Sequence, residues 1–150
     1  MNKKKKAKVE KLVLQILKRV DKDAKIKINI DEIITIDIES PNSGILIGEY
    51  GKTLSALEHI IRIMTHKELT EFMPLFVDVG GYRKSQKEKL EKMALKIAEK
   101  VLKTKRAEVL KPMSAYERRI VHIAISQIDG VETESVGEDQ EKRIIIRTKR

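Results

Sequence analysis

Arg118 and His122, in the stretch "PMSAYERRIVH", stand four residues apart, so on a helix they share one face. A guanidinium can grip a phosphate with two parallel N–H donors, and a neighbouring imidazole can donate to a further oxygen. At about 100° per residue Arg119 and Ser126 fall in the same arc, while Tyr116, Ile120, Ala124 and Ile128 lie on the far side. This wheel puts His122 on the wet side of its helix. The residue types therefore point to a small anion-binding site.

A second stretch, "LIGEYGKT" (Leu46 to Thr53), ends as a Walker phosphate loop does, but Leu46 stands where that loop requires its first glycine. "LFVD" downstream mimics a strand closing on a magnesium-binding Asp78. A nucleotide-hydrolysing domain needs several parallel strands alternating with helices, and the chain upstream of the loop is too short for them. The same letters also read I-G-x-x-G-x-x-L, with Ile47, Gly48, Glu49, Tyr50, Gly51, Lys52 and Leu54 as the contacting positions. Two glycines ahead of a helix N-terminus let backbone approach a sugar-phosphate chain where a Cβ would obstruct it. G-x-x-G alone is also found in plain helix-turn-helix corners, so its neighbours must decide.

Those neighbours follow from hydrophobic periodicity. Val9, Leu12, Val13, Ile16, Leu17 and Val20 predict an amphipathic helix from about Lys5 to Val20. Ile26, Ile28 and Ile30, then Ile34, Ile36 and Ile38, alternate as two strands of a hairpin with Asp31 and Glu32 at the turn. After the loop, Leu54, Leu57, Ile61 and Met64 predict a helix from Lys52 to about Lys67, and Leu75 to Val79 reads as a third strand ended by Gly80-Gly81. Beyond it come a long helix (about Arg83 to Lys103), a short strand at "AEVL", and a helix opened by a Ser114/Glu117 capping box and running to about Ile128. "VETESV" and "KRIIIRT" form an antiparallel pair. The expected fold class is α+β, with one module over residues 1–80 and a second over 81–150.

Charge adds a direction. The chain holds 32 Lys and Arg against 23 acids, a formal net charge of +9, which favours a polyanionic partner. Residues 1–80 carry net +2 and residues 81–150 net +7; without the first eleven residues, the first module is at −3. The Lys3–Lys6 run is expected to be a disordered electrostatic aid. Lys89, Lys92, Lys96, Lys100 and Lys103 line one side of the long helix, either as a solvated face or as an RNA contact, and Arg143 and Arg147 could extend a phosphate track on the sheet. Aromatic residues make up only 3% of the chain, which disfavours a base-stacking platform. The chain has no Cys, hence no disulfide scaffold or thiolate zinc site, and His59 and His66 read as helix-surface residues. No apolar run reaches the length of a membrane span, no cofactor or metal motif emerges, and a cytoplasmic setting is expected.

The string "IGEYGKTLSALEHI", followed by "GYRKSQKEKLEKMALKIAEKV" and "LKPMSAYERRIVH", resembles the Jag (Khp, SpoIIIJ-associated) family of bacterial RNA-binding proteins across residues 25 to 148. That resemblance implies a type II KH domain followed by an R-three-H domain (a three-stranded antiparallel sheet with two helices), named for its Arg-x-x-x-His signature. It also implies a non-catalytic binder of single-stranded RNA, with single-stranded DNA as an alternative strand, acting as a post-transcriptional regulator or RNA chaperone. A KH-only protein partner is the competing implication. Ile45 and Leu54 would then line a groove for bases. Glu49 and Tyr50 depart from the KH pattern, which usually sets Lys or Arg between the glycines, and predict a weaker KH half helped by Lys52. Many family members carry a further N-terminal domain and linker; these residues match neither, so no role of that domain is expected of them.

Overall fold

The computed structural model describes residues 2–150. Along the chain they form α1 (Asn2–Leu17), β1 (Lys25–Ile30), β2 (Ile34–Glu39), α2 (Ser43–Ile47), α3 (Lys52–Leu69), β3 (Leu75–Val79), α4 (Tyr82–Thr104), β4 (Glu108–Val109), α5 (Ala115–Ser126), β5 (Val131–Val136) and β6 (Arg143–Thr148). The fold is α+β, as its sequence predicts, and it divides into two compact units between Arg83 and Lys84.

In the first unit the isoleucine alternation becomes register. β1 and β2 pair antiparallel, Ile28 opposite Ile36 and Ile30 opposite Ile34, and β2 pairs parallel with β3, Ile36 opposite Val77. Side chains on alternate positions share a sheet face, so these residues form one apolar surface. Val9, Val13 and Leu17 of α1 and Leu54, Leu57 and Ile61 of α3 bury it. Each such fully buried side chain contributes roughly 1.5–3 kcal/mol relative to exposure. A parallel pair cannot be joined by a tight hairpin. The crossover from β2 to β3 is α2, the glycine loop and α3, so the loop lies within the connection that the parallel pair requires.

Three expectations change here. The Lys3–Lys6 run is helical, the first turns of α1, because Lys is a good helix former and Lys5 reaches Glu71 at 2.5 Å while Lys8 approaches Glu68 at 3.6 Å. At its other end α1 stops at Leu17, and Val20 lies 49% exposed beyond the apolar stripe. The division between units also falls after Arg83 rather than at Gly80-Gly81. Tyr82 packs on the first core, the Arg83 N–H donates to Asp78 at 3.1 Å, and its guanidinium meets Glu58 at 2.6 Å, so the first two residues of α4 belong to the first unit.

In the second unit the sheet order is β4-β6-β5, antiparallel throughout. Ala94, Ala98 and Val101 of α4 and Val121 and Ile125 of α5 close on Val131, Ile144 and Ile146. The capping box at α5 is complete: Ser114 Oγ accepts the Glu117 N–H, and Glu117 Oε2 accepts the Ser114 N–H at 2.8 Å. Serine and glutamate at this spacing satisfy two donors that a helix start otherwise leaves free.

Candidate nucleic-acid interface

Between α2 and α3 the chain bends through three left-handed residues, Gly48 (φ 71°), Tyr50 (φ 54°) and Gly51 (φ 75°). Both glycines stand at positive φ with a neighbour close against them, Gly48 the more tightly. A Cβ on Gly48 would clash with the Thr53 hydroxyl and lie 2.7 Å from the Thr53 Cβ, while one on Gly51 would lie 3.1 Å from the Tyr82 ring. The turn is tied internally: Gly48 N–H donates to Gly44 C=O at 2.9 Å and Gly51 N–H to Gly48 C=O at 3.3 Å. No side chain caps α3, so the positive end of an 18-residue helix opens beside the loop. Glu49, Tyr50 and Lys52 are exposed there, Tyr50 at 78%, and Ile47 is half-buried.

Leu54 does not line this surface. It is fully buried on the core stripe of α3, in register with Leu57 and Ile61, whereas Ile45 is 63% exposed. The I-G-x-x-G-x-x-L motif thus contains both loop and core positions. His66, expected on the surface, is half-buried, with Nε2 on the Met73 carbonyl at 3.1 Å.

In the second unit, Arg118 and His122 share a face of α5, but it is not the wet one. The buried centre of α5 is Val121 and Ile125, and both residues sit on its flank, half-buried. The imidazole leans on β5, with Nδ1 2.5 Å from Thr133 Oγ1 and Nε2 2.8 Å from Ser135 Oγ. A neutral imidazole has one donor and one acceptor, so both its ring atoms are already engaged with hydroxyls. Burial, and secondarily the Arg118 charge, hold the His122 pKa below its ordinary value. Arg118 Nη1 donates to the Met113 carbonyl at 2.7 Å, which fixes one arm of its fork, while the other guanidinium donors have no partner among the described residues.

The other cations are arranged differently. Arg119 is exposed one step round the helix, and its guanidinium makes no hydrogen bond or ion pair among the described residues. Arg143 does not join the pair. Its neighbours Ile144 and Ile146 stand opposite Ser135 and Thr133, on the face that carries His122, so alternation sends Arg143 to the other face, where it meets Glu141 at 2.8 Å. Arg147 is likewise held by Glu132 and Glu134, each at 2.8 Å, so the expected phosphate track along β6 is largely neutralised by acids. Thr133, Ser135 and Tyr82 are not picked out by the sequence, and Thr53 is legible there only as the end of the Walker-like stretch. Only the alternation of Thr133 and Ser135 with acids along β5 hinted at a shared face.

Residues 9–73 match the KH domain of KhpA and KhpB, and residues 88–148 match the R-three-H domain. The RNA-binding protein KhpB of Clostridium symbiosum is 38% identical over 117 residues, covering 78% of this chain and 53% of that protein. The chain belongs to the Jag (KhpB) family. KhpB of Bacillus subtilis (strain 168) is 35% identical over 115 residues, 75% of this chain and 55% of that protein. KhpB of Streptococcus pneumoniae serotype 2 is 30% identical over 115 residues, 77% of this chain and 35% of that protein. The chain therefore spans about half the length of the first two relatives and less of the third. Among the described residues, no helix is long and apolar enough to cross a membrane.

Proposed function

We propose that this chain binds single-stranded RNA without catalysing a reaction, in the cytoplasm, as a post-transcriptional regulator or RNA chaperone. The observation that carries the reading is the backbone from Gly48 to Lys52, where two glycines at positive φ precede an uncapped helix. The Gly48, Gly51 and Lys52 N–H groups are turned inward onto the Gly44, Gly48 and Glu49 carbonyls, so what such a corner offers a sugar-phosphate chain is close approach without a Cβ and a positive helix end. In the first unit Ile47, Gly48, Tyr50, Gly51 and Lys52 contact the strand, and Glu49 opposes it. In the second, Arg118 holds phosphate with the free part of its fork, His122 and its two hydroxyl partners border the same spot, and Arg119 adds charge. Arg143, paired on the other sheet face, contributes least. The relatives' name, the domain pair and the net charge of +9 support RNA as the polyanion. Two weak contacts on one chain reinforce each other through effective concentration.

Fluorescence anisotropy against salt tests this reading. For single strands the log-log slope is about −0.7 per phosphate neutralised, so replacing Arg118 and His122 together with Ala should make it shallower by about 0.7–1.4. A double variant with wild-type slope and affinity removes the second unit from the mechanism. Competition by DNA of the same sequence measures how far the 2′-hydroxyl matters.

A second reading, an adaptor pairing with a KH-only protein, is favoured by the outer face of α3, where Ile60, Ile63 and Met64 are 47%, 55% and 39% exposed. Gel filtration with and without RNase separates the two. Complexes that survive RNase support the adaptor.

A further inference from the structure

The two loop glycines are covered from different directions, Gly48 by Thr53 of α3 and Gly51 by Tyr82, which lies 31 residues further along the chain. Gly51 is buried although both its neighbours, Tyr50 and Lys52, are exposed. The ring responsible is firmly placed. Tyr82 is half-buried against the first core, and the next residue is anchored three ways: the Arg83 N–H donates to Asp78 Oδ1 at 3.1 Å, its Nη1 meets Glu58 Oε2 at 2.6 Å, and its guanidinium stacks 5.0 Å above the Phe76 ring. Glu58 is itself fixed by the Val77 N–H at 3.0 Å and by Arg62 at 2.7 Å. The loop's own hydrogen bonds, Gly48 N–H to Gly44 C=O and Gly51 N–H to Gly48 C=O, tie its backbone, and an external ring against its last glycine further restricts the φ/ψ that its three left-handed residues can sample.

We propose that Tyr82 is a positioning residue for the G-x-x-G loop: its ring, latched through Arg83 to Glu58 and Asp78, holds Gly51 so that the loop backbone is presented in one conformation. The binding consequence rests on the reading of this loop as an RNA contact. The conformational consequence does not.

Two measurements on the full chain test it. Amide hydrogen exchange reads the loop without RNA. Tyr82→Ala should speed exchange of the Gly51 and Lys52 amides about tenfold or more while the α3 amides of Leu57 and Ile61 keep their protection. Unchanged Gly51 exchange, or equal loss of protection through α3, overturns the proposal. The binding arm is a double-mutant cycle using a mixed-sequence single-stranded RNA of about 12 nucleotides, which exceeds the roughly four-nucleotide KH footprint. Tyr82→Ala should weaken binding about fivefold to twentyfold in the wild-type background and have no further effect once Gly48→Asp has disabled the loop. Equal losses in both backgrounds would mean that Tyr82 acts only through the general fold, and would overturn the positioning role. Tyr82→Phe keeps the ring and should stay within about twofold of wild type; a loss as large as that of Ala would also overturn it. If the wild-type protein does not bind this RNA, the proposed function fails, and the exchange result still decides the role of Tyr82.

Discussion

The two candidate sites are built from different materials. In the KH unit the loop offers backbone, with Lys52 close in sequence to a carboxylate at Glu49, in a module that is slightly acidic apart from α1's lysines. In the R-three-H unit the site offers side chains, Arg118 and His122, each braced by hydrogen bonds to a carbonyl or to hydroxyls. A backbone site depends on φ values that only certain residues adopt, so substitution either is absorbed or wrecks it. A side-chain site depends on charge and protonation, so it should respond in steps to salt and pH.

The sharpest way to break that contrast is at glycine. Gly48→Ala puts a Cβ into Thr53 at a φ of 71°, and should cost about 1–3 kcal/mol of stability together with the loop's share of RNA affinity. Gly44, four residues earlier in α2, has open space at its Cβ position and no positive φ. Gly44→Ala should therefore be neutral or stabilising by up to about 1 kcal/mol. Urea denaturation of the two variants, with anisotropy alongside, checks the pair. Equal behaviour would mean that the loop conformation is not set by Gly48.

The next effect belongs to the other site and is read with pH. His122 is held below its ordinary pKa by burial first and by Arg118 second, so in the free protein it is neutral near pH 7. A phosphate drawn to Arg118 favours the protonated ring and raises its pKa, so affinity should increase as pH falls through and below the usual histidine range near 6.5. His122→Gln should flatten that dependence. Stability should run the other way. The unfolded chain, with its higher histidine pKa, takes up the proton first, so this group's contribution is complete above about 6.5 and is lost as pH falls towards the depressed folded value. A wild-type affinity that is flat with pH would show that the ring is a structural brace rather than part of the anion contact.

These contrasts also mark what the sequence could reveal. The β1–β2 hairpin, the capping box and the helices were legible because each follows from residues near one another: alternating isoleucines, Ser114 with Glu117, and Leu54, Leu57 and Ile61 at helical spacing in α3. The glycine pair was legible for the same reason. What was lost depends on distant residues. The wheel set the wet side of α5 from its own apolar average, whereas β5 decides it, through Thr133 and Ser135, 11 and 13 residues from His122. The lysine run looked like a tail because Glu71, the partner of Lys5, is 66 residues away. Leu54 belonged to the motif and to the core at once, and only packing could assign it.

The smallest expected effect tests whether the loop meets phosphate at all. Glu49 is exposed, and Glu49→Lys changes the local charge by two units without touching the left-handed residues on either side. At about 6 Å from a phosphate in water, each unit charge is worth about 0.7 kcal/mol, so the change could reach about 1.4 kcal/mol, roughly tenfold in affinity, at low salt. Near physiological ionic strength, with a screening length of about 8 Å, roughly half of that should remain. The gain should therefore shrink as salt rises, and it should be absent in a Gly48→Asp background, where the loop no longer presents the charge. A gain that persisted in that background would mean that the added charge simply joins a diffuse basic field. No gain at low salt would place the strand away from the loop, leaving Arg118 and His122 as the contact that holds it.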